Sequence, residues 1–89
     1  MKSTAEQASK IYFLIYEDRR NKNTGIIEAT KSQEMMREAL EEKNGWNEYD
    51  NSFHVVDKIS EKLTRQQASY VIDSLIKRKF KLAEDILTK

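Results

Sequence analysis

The eight residues KIYFLIYE, Lys10 to Glu17, decide how the rest of the chain is read, because six apolar or aromatic side chains follow one another between polar flanks. β-Branched and aromatic residues at this density favour a strand. At a period of two, Ile11, Phe13 and Ile15 share one face and Tyr12, Leu14 and Tyr16 the other. Both faces are apolar, so this strand is expected at the centre of a sheet or against a partner. Residues 1–9 before it are polar and read as frayed or weakly helical.

Working outward, DRRNKNTG (Asp18–Gly25) is a turn-rich link whose Asn residues and Gly25 tolerate positive φ. GIIEAT (Gly25–Thr30) reads as a second strand, making a hairpin with the first. A helix comes next, with Ser32 as N-cap and Glu34 in its first turn, or with a competing box from Thr30 and Gln33. Met35, Met36, Ala39 and Leu40 form its stripe, and Asn44-Gly45 is its stop. NSFHVVDKIS (Asn51–Ser60) reads as a third strand, with Phe53, Val55 and Ile59 on one face and His54, Val56 and Lys58 on the other. Thr64 and Gln67 form a T-x-x-Q capping box for a last helix with Ala68, Val71, Ile72, Leu75 and Ile76 on its buried stripe. KRKFK (Lys77–Lys81) interrupts that stripe, and Leu82, Ala83, Ile86 and Leu87 resume it, so the helix either runs on or breaks near Lys79. The expected order is β-β-α-β-α, an α+β fold with a three-stranded antiparallel sheet and two helices on one face. We read residues 1–89 as one small domain, 1–9 flexible, with no internal repeat.

Composition bounds the function. Without cysteine there is no disulfide or thiolate metal site. No apolar run reaches the roughly 18–20 residues of a membrane span, and the polar start MKSTAEQASK lacks the apolar middle of a secretory signal. A cytoplasmic location is expected, with no membrane partner. A short chain buries a thin core, which a homodimer would thicken. Net charge is only +1, but it is segregated: residues 28–57 hold three Lys/Arg against eight Asp/Glu, and residues 60–89 hold seven against four.

Catalytic chemistry finds no support. His54 is the sole histidine, no flanked serine nucleophile accompanies it, and two glycines cannot make a phosphate-cradling loop. The carboxylates are spread rather than paired. We expect no enzyme, no cofactor and no metal.

Two stretches invite a binding role. KNGWNEYDN (Lys43–Asn51) holds the single tryptophan. Trp46 either folds back over the helix end near Leu40 or joins Glu48, Tyr49 and Asp50 in a contact surface, since Trp and Tyr are frequent interface anchors. The basic cluster Lys77, Arg78, Lys79 and Lys81 surrounds Phe80; with Arg19, Arg20 and Lys22 it would form a phosphate-gripping surface, unless Phe80 packs inward and the cations are a solvated helix end.

LTRQQASYVIDSLIK (Leu63–Lys77) resembles a helix of many small phage and mobile-element proteins, where a T-x-x-Q-A-S-x-x-I pattern opens a C-terminal helix, sometimes beside DNA-recombination or single-strand-binding modules. EATKSQEMMREALEEKNGWNEYD (Glu28–Asp50) resembles part of a family of type II-A anti-CRISPR proteins, which are phage-encoded, small and α+β. That resemblance implies an acidic segment that mimics DNA and fills the target-reading site of a nuclease effector, with Glu41, Glu42, Glu48 and Asp50 as phosphate mimics. Those relatives are strongly acidic throughout, whereas here the acidity is confined to residues 28–57.

The leading expectation is therefore a small, non-catalytic, phage-type interaction protein that binds and modulates a host protein, as an anti-CRISPR or other anti-defence inhibitor does. Its partner-binding residues would be Trp46, Glu48, Tyr49, Asp50, Glu41 and Glu42. The alternatives are a nucleic-acid-binding accessory using Arg19, Arg20, Lys77, Arg78, Lys79 and Lys81, and a structural homodimer.

Overall fold

A computed structural model describes residues 2–17, 19–20, 27–28, 31–47 and 52–89, and five helices carry nearly all of them. Among these residues the expected three-stranded sheet is not formed. Lys10–Tyr16 lies inside the first helix, α1 (Ala5–Tyr16), which begins well before the apolar run. Thr4 caps it: the hydroxyl accepts from Gln7 N at 3.1 Å, and the Gln7 side chain accepts from Thr4 N at 3.1 Å. With the start set there, Ala8, Ile11 and Ile15 fall on one stripe and are fully buried, while Phe13 faces solvent. The helix-propensity penalty of an isoleucine, below about 0.7 kcal/mol, is small beside the roughly 1.5–3 kcal/mol from burying it.

The expectation of a third strand over Asn51–Ser60 is corrected likewise. Ser52–Lys62 is helix α3, in which Val55 and Ile59 are buried at a spacing of four, with Leu63 continuing the stripe just beyond the helix. Phe53 and His54 are exposed. The two remaining strand segments pair over two residues each, β1 (Arg19–Arg20) with β2 (Ile27–Glu28), antiparallel, with Arg19 opposite Glu28. Thr30 lies outside the described residues, and Ser32 is inside helix α2 (Lys31–Asn44) rather than at its cap. The stop expected at Asn44-Gly45 is present: Gly45 takes φ +74° and donates to Glu41 O at 2.9 Å. Helix α4 (Arg65–Ile76) starts with the Thr64–Gln67 box, and the chain breaks before α5 (Phe80–Leu87).

Side by side, α1 and α4 display a repeat, contrary to the expectation of none. Thr4-Ala5-Glu6-Gln7-Ala8-Ser9 and Thr64-Arg65-Gln66-Gln67-Ala68-Ser69 share T-x-x-Q-A-S. The buried sets match in spacing as well: Ala8, Ile11 and Ile15 against Ala68, Val71 and Leu75. The two starts are tied together. Gln7 Nε2 donates to Arg65 O and to Ser69 Oγ, both at 3.3 Å. Ser3 N donates to Leu63 O at 2.8 Å, and Ser3 and Ser60 exchange hydroxyl-to-carbonyl hydrogen bonds. Residues 5–9 are thus the capped first turns of a central helix.

The far end of α1 is closed by α2. Gln33 Nε2 donates to Ile15 O at 3.2 Å and Glu17 O at 2.7 Å, and Arg37 Nε donates to Ile15 O at 2.8 Å. One turn apart on α2, these two side chains satisfy carbonyls that a helix C-terminus leaves open. The guanidinium also complements the negative helix end and lies 5.9 Å from the Tyr16 ring centre. At the other end of α2, Asn44 Nδ2 donates to Leu87 O at 2.8 Å, fixing α5 alongside.

An added Cβ at Gly45 would meet no atom within 4 Å, so its requirement is purely conformational. Gly45→Ala is expected to lower stability by about 1 kcal/mol, and Gly45→Asn by less; equal stability of all three proteins in urea titration would contradict the left-handed cap.

Candidate functional site: the trough between helices α2 and α5

Of the expected contact residues, the structure describes Trp46, Glu41 and Glu42. Trp46 is only 5% exposed and belongs to the core, its backbone N–H donating to Leu40 O at 3.3 Å. It is a plug over the end of α2. Glu48, Tyr49 and Asp50 lie outside the described residues. Glu41 and Glu42 are exposed on the last turns of α2. Arg19 and Arg20 form β1, and Lys22 is outside the described residues.

The basic turn is equally informative. Phe80 is 3% exposed, with the Arg78 guanidinium 5.1 Å above its ring, so its face is not open to a base. Lys77 pairs with Asp73 at 3.1 Å. Lys81 pairs with Glu84 at 2.7 Å and Asp85 at 3.2 Å, and its ammonium is held above the usual lysine range by the Glu84 hydrogen bond first and Asp85 next. Two of the four cations are thus committed within their own helices.

Arg78, Lys79, Phe80 and Lys81 border an open trough of about 800 Å³ between α2 and α5. Ser32, Met35, Glu38, Ala39, Glu42 and Lys43 line it from α2. Their spacing marks a single helix face over three turns, about 16 Å long at 1.5 Å per residue. The apolar stripe expected on α2 is therefore split. Met36 and Leu40 enter the core with Gln33, while Met35 (58% exposed) and Ala39 face the trough. Across from them stand Phe80 and Leu82 (41% exposed) of α5, with Arg78, Lys79 and Lys81 along the edge. Sequence reasoning missed the trough because it assigned all four residues of the α2 stripe to one buried face.

Arg78 adopts φ +59°. Its N–H donates to Leu75 O at 3.0 Å, and that of Lys79 to Ser74 O at 2.8 Å. This is the two-bond helix terminator in which the left-handed position normally belongs to glycine. A long cationic residue accepts the strain here, and strained backbone tends to collect at functional positions.

No group of three or more His or acidic residues among the described residues is arranged to hold a metal ion. No helix is long and apolar enough to cross a membrane among the same residues. Comparison of the chain with protein-family models, curated proteins and solved structures gives no match.

Arg78→Gly removes both the strain and the ring stack, whereas Arg78→Ala removes only the stack. The glycine variant is expected to be more stable than the alanine variant by about 1 kcal/mol in thermal denaturation. Equal stability would mean that residue 78 carries no left-handed strain.

Proposed function

We propose that this protein is a non-catalytic binding module that seats a helical segment of a partner protein in the α2–α5 trough and thereby modulates that partner. The observation that carries the reading is the uncovered Met35/Ala39 pair, one turn apart on α2, facing Leu82 in a trough lined by three turns of that helix. Apolar surface of this kind, bordered by charge, is what an amphipathic helix covers. Exposure of both Met35 and Leu82 makes the trough open along its length, unlike an enclosed pocket for a small molecule. A host protein is the partner class expected for the phage-encoded inhibitors that Glu28–Asp50 resembles, and steric occupation of a host surface needs no catalytic group.

The nucleic-acid alternative has less support. Its aromatic residue is covered and Lys77 and Lys81 are paired, which leaves Arg78 and Lys79 of the basic turn, with Arg19 and Arg20 of β1, to meet phosphates.

Selection of a displayed helical-peptide library on the wild-type protein is expected to enrich peptides whose binding falls at least tenfold on Met35→Glu or Leu82→Glu, since each places a charge on the apolar floor at a cost of more than about 1.4 kcal/mol. Enriched peptides that bind all three proteins equally would move the site elsewhere. Retained circular dichroism of the two variants separates loss of binding from loss of fold.

A further inference from the structure

Resting on the reading of the trough as a helix-binding site, we infer that its occupant is an amphipathic helix with one basic and one acidic flank, and that this charge split fixes the direction in which the helix lies. On the α2 wall, Glu38 and Glu42 stand one turn apart, both exposed, and neither forms an ion pair among the described residues; Lys43 adds one cation at the end of that wall and leaves it net acidic. Facing them, Arg78 is occupied by the Phe80 ring and not by a carboxylate, and Lys79 forms no ion pair among those residues either. Lys81 is taken up by Glu84 and Asp85. The two opposed sets do not neutralise one another across the apolar floor.

An occupant of uniform charge would be attracted by one wall and repelled by the other. A helix whose apolar stripe faces Met35, Ala39 and Leu82 presents one flank to each wall. Lys or Arg on the flank beside Glu38 and Glu42, and Asp or Glu on the flank beside Arg78 and Lys79, satisfies both. Because a helix is chiral and directional, turning it end for end exchanges its flanks. The walls therefore select orientation as well as composition. Each pair is solvent-accessible and modest alone, so the apolar stripe supplies affinity and the flanks supply direction and discrimination.

Four synthetic peptides of roughly 14 residues, about four turns, test this. All carry the same leucine stripe; their flanks are Lys/Glu split, all Lys, all Glu, or all Gln. By fluorescence anisotropy at low salt, the split peptide is expected to bind roughly tenfold tighter than the Gln peptide, with the advantage shrinking at high salt. Glu38→Lys/Glu42→Lys, which makes both walls basic, is expected to shift the preference to the all-Glu peptide. A paramagnetic tag on the N-terminus of the split peptide is expected to broaden signals at one end of α2, near Ser32 or near Lys43, and not at both. Equal affinities among peptides that lose binding on Met35→Glu would overturn the charge inference and leave the trough reading intact. Failure of all four to bind, or self-association of the protein that Met35→Glu abolishes, would overturn both.

Discussion

The Gln7 side-chain amide serves two helices at once. Its oxygen closes the capping box of α1, while its nitrogen reaches Arg65 O and Ser69 Oγ at the start of α4. With Ser3 bound to Leu63 and Ser60, this sets the two helix starts side by side. The buried stripes of α1 and α4 then meet the core in matching registers. The placement of α2 depends in turn on where α1 ends. Gln33 and Arg37 reach the carbonyls there, so the rotation of α2 is set by polar bonds as well as by burial of Met36 and Leu40. That rotation turns Met35 and Ala39 outward, and Asn44 holds α5 beside them. The trough is thus a consequence of helix capping several turns away.

This origin explains why apolar surface is left open in a chain with little to spare. Covering Met35 would require α2 to rotate, and rotation would withdraw Gln33 and Arg37 from carbonyls that water does not easily reach. The exposed stripe is held in place by the interactions that close α1. The left-handed backbone at Arg78 sets the opposite edge in the same manner, through a terminator whose geometry is dictated by α4 and α5.

The parts legible in the sequence were those with local causes. The Thr64–Gln67 box, the Asn44-Gly45 stop and the buried stripe of the fourth helix depend on residues within a turn or two of one another. The strand readings went astray where a short apolar run fits both periods. KIYFLIYE is such a run, and the deciding signal was upstream: T-x-x-Q at Thr4, the same pattern that marks the helix start at Thr64. In Asn51–Ser60, Val55, Ile59 and Leu63 keep a spacing of four, which a period of two extending only to Ser60 does not register. The site was the least legible part. The folding back of Trp46 over the helix end near Leu40 was one of two local readings, whereas outward rotation of Met35 depends on contacts from distant segments, and Glu48–Asp50 lie outside the described residues.

The bonds between segments far apart in sequence also determine when the molecule becomes useful. Ser3 needs Ser60 and Leu63, α1 needs α4, and α2 needs Leu87. Contacts of such sequence separation form late, because a long loop must close before they contribute. As the chain leaves the ribosome, the α2 wall of the trough emerges long before the α5 wall that faces it. A translation product interrupted before α5 therefore carries only the α2 wall, and the trough is complete only in a chain that extends through α5.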